Sequence, residues 1–281
     1  MSAAVLCLSL PACAQQPSKP AARAANDADP ALWVVKGKAG TVYLFGTIHV
    51  LKPGLSWFDE AVKGAFDKAD EVKLEIVMPD PATMQGLVQA TGLAPAGTPP
   101  LTQRLPEGKR AAFTKAVTDL GLPANALDRF RPWLAATQLS VAPLSKLGYE
   151  SGNGPEEVIT AAAKQAHKPL SGLETPQQQL GFFGSLSDSA QLQFLESTVD
   201  EWARGDPEAL AREMNDELKS SPEVAKVLLV DRNRNWAQWI RQRLDKPGTV
   251  FIAVGAGHLA GPDSVQAQLA KLGVKAERVR Y

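Results

Sequence analysis

Two stretches of this chain share one design, and that design limits the folds open to it. The first is Thr41-Val-Tyr-Leu-Phe-Gly46-Thr-Ile-His49; the second is Thr249-Val-Phe-Ile-Ala-Val-Gly255-Ala-Gly-His258. Each reads as a buried strand that runs into a Gly and then, three residues on, a His. A Pro follows four residues after each His, Pro53 and Pro262. Glycine at the end of a buried strand lets the backbone turn or approach a neighbour closely. A His just beyond it stands at the carboxyl edge of a sheet, where open α/β folds place their ligands. The chain has only three histidines, and two of them occupy these matched settings. The two segments are expected to face each other across one site.

The intervening sequence predicts an α/β sheet interrupted by helices. Leu32–Lys36 and Thr41–Phe45 form a hairpin around Gly37–Gly40, and a helix from about Ser56 to Ala69 leads to a strand over Glu71–Val77. Amphipathic helices follow over 82–93, 107–120 and beyond Arg131-Pro132-Trp133. After a polar loop at 148–154, another helix opens at Pro155. Lys168–Gly172 is a short strand, and helices resume from Pro176 to about Arg243. A final strand–helix–strand unit spans 249–280. The expected architecture is therefore a central sheet with flanking helices and a large helical insertion at about 82–166.

At 281 residues, with 44% hydrophobic residues, the chain is long enough to bury a substantial core. Thirty basic residues balance thirty acidic ones, so nothing in the charge points to nucleic acid as a partner. Both cysteines, Cys7 and Cys13, lie in an apolar N-terminal stretch ending Ala12-Cys13-Ala14. That stretch reads as an export signal over residues 1–14, with Gln15 as the new N-terminus and a disordered linker through residue 30. Leu10-Pro-Ala-Cys13 also reads as a lipobox, which would anchor the protein through Cys13. The expectation is a periplasmic, outer-membrane-anchored or secreted protein without a transmembrane body. Its mature part has no thiolate for catalysis or metal binding.

Imidazole is both the commonest metal ligand and a base near neutral pH, so His49 and His258 are the first candidates for chemistry. Glu75 comes next, a carboxylate within the apolar run Val72-Lys-Leu-Glu-Ile-Val77. Glu174 closes another strand candidate, with a rival role at the start of the helix at Pro176. Arg232-Asn233-Arg234-Asn235-Trp236 puts polar groups on a helix, where an Arg or Asn aimed at an oxyanion would stabilise developing charge. Two His with one or two Glu suit Zn, Mn, Co or Fe. No His-Glu-x-x-His, Gly-x-Ser-x-Gly or P-loop motif is present.

On Leu32–Lys36 with Thr41–Val50, Val72–Val77, Gly172–Gln179, Asp231–Ala237 and Val250–Pro262, the chain resembles the TraB/GumN family, which is related to the TIKI metalloproteases. The resemblance spans the mature chain and implies a mixed, largely parallel sheet of the erythromycin-esterase and ChaN-like kind. It implies that His49, Glu75 and His258 belong to the functional site, with Arg232 and Asn233 matching the family's Arg-Asn motif. In the TIKI branch such a site resembles a Mn- or Co-dependent protease. The expected function is an exported, metal-dependent hydrolase of a peptide or amide bond. His49, His258, Glu75 and Glu174 supply the metal ligands, Glu75 serves as ligand or base, and Arg232 or Asn233 stabilises the oxyanion. The alternative is a haem- or iron-binding protein using the same His pair. A third reading is an inactive scaffold that engages a partner through its helices.

Overall fold

The computed structural model describes residues 28–48, 54–146, 154–204 and 221–280. The proposed export signal, nearly all of the linker, and His49 lie outside them. At the centre is a six-stranded sheet in the order β4-β3-β5-β2-β1-β6. Its strands are β1 (Leu32–Lys36), β2 (Gly40–Thr47), β3 (Glu71–Leu74), β4 (Leu170–Gly172), β5 (Gly248–Gly255) and β6 (Ala276–Arg278). The pairs β4–β3, β3–β5 and β5–β2 are parallel, whereas β2–β1 and β1–β6 are antiparallel. The sheet is thus mixed and largely parallel, as the sequence predicts.

Alternation along β2 and β5 explains why both faces are covered. Phe45, Phe251 and Ala253 point to one face, with Val72 and Leu74 of β3 beside them. There they meet Val62, Ala65 and Phe66 of α1 (Glu60–Lys68), and Ile159 and Ala163 of α6 (Pro155–Gln165). Val42, Leu44, Val250, Ile252 and Val254 point to the other face. These pack on Trp236, Ala237 and Ile240 of α10 (Asp231–Arg243) and on Val265 and Leu269 of α11 (Val265–Lys271). A strand apolar on both sides belongs in a sheet sandwiched between helices.

Between β3 and β4 the chain forms α2 (Pro81–Gly92), α3 (Leu101–Arg104), α4 (Glu107–Asp119), α5 (Pro132–Lys146) and α6. Phe113, Val117, Ala135 and Leu139 from this segment share a core with Leu195 and Val199 of α8 (Asp188–Arg204). Helix α7 (Pro176–Ser185) joins β4 to α8, and α9 (Pro222–Ala225) leads through a π-helical turn, Lys226–Val230, into α10. Among the described residues, no helix is long and apolar enough to cross a membrane.

Strand order departs from the simplest reading in one respect. The unit β2-α1-β3 closes over β5, which inserts between its two strands. Likewise β6 runs parallel to β5 but lies beyond β2 and β1. Local patterns identify a crossover, but strand order depends on which apolar edges find each other across the chain.

Candidate functional site

The two strands that carry the Gly-x-x-His segments are direct parallel neighbours, with Gly46 opposite Val254 and Thr47 opposite Gly255. They leave the sheet together at its carboxyl edge. Gly46 allows the close fit: a Cβ placed there would meet Ala256 Cα at 3.3 Å. Past Gly255 the chain enters a 3₁₀ turn, Ala256–Leu259, which tucks His258 under the edge at 6% exposure. Of the first segment, the described chain reaches Ile48.

Glu75 is the residue immediately after β3, one position beyond the strand itself. Its Oε1 accepts the Gly255 N–H at 2.7 Å, and its Oε2 accepts Gln179 Nε2 at 2.8 Å and Arg232 Nη2 at 2.7 Å. Glu174 lies two residues beyond β4 and is tied to Glu75 through the backbone, its N–H donating to the Glu75 carbonyl at 2.9 Å. Gly172 makes that approach possible, because a Cβ there would meet the Glu174 carbonyl oxygen at 2.3 Å. Gly172→Ala is therefore expected to destabilise the protein by about 1–3 kcal/mol, as overpacking does, read by denaturant titration. The rival helix-capping role falls to Thr175, whose side chain accepts from the Gln178 N–H while Gln178 reaches back. Thr175→Ala should cost about 1 kcal/mol in the same measurement.

Arg232 is the hub. A guanidinium has five N–H groups, and all are engaged here. Nε and Nη2 donate to Glu174, Nη2 also donates to Glu75, and Nη1 donates to the Leu228 carbonyl and to His258 Nε2 at 3.1 Å. The Leu228 carbonyl lies in the π-helical turn, where widened geometry commonly marks a functional position. Trp236 and Phe182 cover the guanidinium, at 4.8 and 5.6 Å from their ring centres. Burial alone would lower the Arg232 pKa, but the charges and hydrogen bonds of Glu75 and Glu174 overcome this and hold it above its ordinary value. Burial raises the Glu174 pKa; hydrogen bonding and charge from Arg232 oppose this without cancelling it.

The same network assigns the His258 tautomer. Arginine only donates, so Nε2 is an acceptor and Nδ1 carries the proton. Nδ1 then donates to Asn233 Oδ1 at 2.6 Å, while Asn233 Nδ2 donates to the Asp263 carbonyl at 2.8 Å. Trp236 packs against the imidazole with ring centres 4.4 Å apart. Asn233, 1% exposed, fixes the ring from behind. His258 Nε2 faces Glu75 Oε1 at 3.6 Å.

Glu75, Glu174, Arg232, Asn233 and His258 thus converge from four separate stretches of sequence. His167 does not join them; it is exposed at the end of α6 with φ of 51°. Two participants were not singled out in the sequence: Phe182, and Gln179, which only closes the stretch Gly172–Gln179. Glu156 accepts from Thr47 Oγ1 at 2.6 Å at the end of β2, although Pro155-Glu-Glu reads only as a helix start.

The donor set fits a metal ion in part. Glu75 Oε1 and His258 Nε2 lie together as two ligands of one ion would, although Arg232 Nη1 occupies the Nε2 lone pair. Glu174 does not suit the role, since Arg232 grips both its oxygens. Among the described residues, no group of three or more His, Cys, Asp or Glu side chains is arranged to hold a metal.

Comparison with known proteins now adds to the geometry. The model of the TraB/PrgY/gumN family matches residues 31–278, nearly all of the described fold. The chain belongs to the TraB/PrgY/gumN family. Among its relatives is an uncharacterized protein of Treponema pallidum (strain Nichols), 22% identical over 83% of this chain and 78% of the relative. Another is the uncharacterized protein YbaP of Escherichia coli (strain K12), 26% identical over 60% of this chain and 67% of YbaP. YbaP of Shigella flexneri matches to the same extent. No solved structure gives a significant match. For this TraB/PrgY/gumN member, the match takes in both Gly-x-x-His segments and every residue of the buried cluster.

Proposed function

We propose that the protein is a metal-dependent hydrolase acting on a peptide or amide bond outside the cytoplasm. The observation that carries this reading is the meeting of Glu75 and His258 at the carboxyl edge, under two parallel strand ends that each lead to a His. His258 and Glu75, with His49, would hold a Zn, Mn, Co or Fe ion. Such an ion would polarise the scissile carbonyl and lower the pKa of water.

The chain's own residues supply orientation. Arg232 compensates the charge of Glu75 and Glu174, while the Gly255 N–H and Gln179 fix the angle of the Glu75 carboxylate. Asn233 holds the proton of His258 on Nδ1 and leaves the lone pair on Nε2, which a metal ion would have to take over from Arg232 Nη1. With every N–H engaged, Arg232 acts by positioning Glu75 and His258, and direct oxyanion stabilisation by its guanidinium drops out of the proposal. Trp236 and Phe182 shield the cluster from water, so charge interactions inside it are stronger than at the surface.

The test is the metal content of the purified, untagged protein beside His49→Ala and His258→Ala. About one equivalent of a divalent ion, lost in both variants, is the expected result for a single catalytic site. No metal, and none taken up across the divalent series, would overturn it. In that event, a visible absorption band on adding haem, lost in the same variants, would support the haem-binding alternative. Export is tested separately by N-terminal analysis of the protein from its native host. A start at Gln15 indicates a cleaved signal, a lipidated Cys13 an anchored protein, and an intact Met1 rules out both.

A further inference from the structure

The buried cluster is shut in this structure. Glu75, Arg232, Asn233 and His258 are all buried, and both Glu75 oxygens already accept hydrogen bonds. A substrate therefore needs a covering element to move. Among the described elements around the cluster, α7 is the least anchored. It supplies Gln179 to Glu75 and lays Phe182 over Arg232, yet none of its ten residues is buried, whereas α10 buries five. Helices shorter than about 12–15 residues are marginal in water unless packing holds them, and Gly181 and Gly184 weaken this one further. What holds α7 is mostly at its ends. Thr175 and Gln178 form the capping box at its start, beside Glu174, whose N–H is bonded to the Glu75 carbonyl. Past its other end, the Ser187 N–H and hydroxyl both donate to Glu223, at 2.6 and 2.7 Å. Between these points Phe182 and Phe183 lean on the small apolar group of Leu186, Ala190, Val224 and Leu228, and Phe183 stacks on Trp133. Helix α2, itself buried only at Gly92, lies alongside. A segment with few buried contacts opens locally while the rest of the fold stays intact.

We infer that α7 is a lid on the candidate site and that it opens by unwinding between Thr175 and Ser187. Unwinding withdraws Gln179 from Glu75 Oε2 and Phe182 from the Arg232 guanidinium in one event. Those two groups border His258 Nε2, which lies 3.1 Å from Arg232 Nη1 and 3.6 Å from Glu75 Oε1. Trp236, the other ring over the guanidinium, belongs to α10 and stays in place. Glu174 remains tied to Glu75 and Ser187 to Glu223, so the loosened segment is held at both ends for reclosing. Admission of a substrate is the purpose of such a lid under the hydrolase reading, on which it rests, but exposure of His258 can be measured without hydrolysis.

The experiment follows acylation of His258 by diethyl pyrocarbonate in the full chain, resolved by peptide mass spectrometry, with the exposed His167 as internal reference. His258 should react far more slowly than His167, at a rate set by how often α7 opens. Gly181→Ala adds a methyl where no neighbouring group lies within 4 Å, so it acts through helix propensity and should slow His258 about fivefold. Thr175→Ala removes the cap and should speed the reaction about fivefold. Val199→Ala weakens a core that α7 does not share and should leave the rate unchanged, which separates lid opening from global unfolding. Should Thr175→Ala fail to fold, Gly181→Ala decides. The lid is overturned if His258 reacts as fast as His167, fails to react in every variant, ignores Gly181→Ala, or speeds up equally in Val199→Ala. The expected labelling pattern in a protein that cleaves no peptide would sink the hydrolase reading and leave the lid standing.

Discussion

Replacing Arg232 with methionine should destabilise the protein by about 3–5 kcal/mol, the usual consequence of removing one partner from a buried ion pair. The substitution preserves much of the volume between Trp236 and Phe182, so the loss is mainly electrostatic. It leaves Glu75 and Glu174 buried side by side without their shared cation. The deficit should depend on pH, with a definite sign. Burial already raises the Glu174 pKa in the folded protein, and losing Arg232 removes what opposes that rise. A carboxylate whose folded pKa exceeds its unfolded value favours the folded state below the unfolded pKa, about 4.3 for Glu. That contribution is lost as pH rises through the folded pKa. Urea titrations of the wild type and Arg232→Met from pH 4 to pH 8 should therefore diverge as pH increases. A pH-independent difference would mean that Arg232 contributes packing alone.

Hydrolysis should fall by about 10²–10⁴ in Glu75→Gln and His258→Ala, the range associated with losing a positioned acid–base group. Glu75→Gln keeps the shape of the side chain but puts an N–H where both oxygens now accept, so it faces donors from Gly255, Gln179 and Arg232. The measurement is kcat/KM on a peptide first found by library cleavage, with circular dichroism to confirm the fold. Variants that stay folded and cleave at the wild-type rate would remove both residues from the chemistry. Asn233→Ala gives a graded comparison: the imidazole remains but loses the acceptor for its Nδ1–H. Its activity should fall between wild type and His258→Ala. Asn233→Asp, which restores an acceptor at that position, should recover part of the loss.

Much of this arrangement was legible in the chain because burial and backbone geometry leave strong local marks. Val250 to Val254 is apolar at every position, which predicts a strand covered on both faces. An acidic residue in the run Val72–Val77 stood out for the same reason. The strand nevertheless stops at Leu74, so Glu75 sits at the edge rather than within the sheet. Glu174 was recognisable as a strand-end carboxylate, while its attachment to Arg232 depends on a helix that arrives 58 residues later. Phe182 was not legible at all, and Gln179 only as the last residue of the stretch Gly172–Gln179, without a role. A Gln and a Phe on a short helix are ordinary, and their roles come only from the rotation at which α7 docks.

The pairing of β2 with β5 also has a temporal consequence. Their register joins positions about two hundred residues apart, and such distant contacts form late because the intervening chain must first be gathered in. During synthesis, the N-terminal half of the site emerges first, with Glu75 already in place along the chain. Glu75 then lacks the Gly255 amide, the Arg232 guanidinium and the His258 ring until the last strands are made. A nascent or truncated chain therefore lacks the assembled cluster. Protein synthesis itself acts as the timer that sets when the cluster can first form.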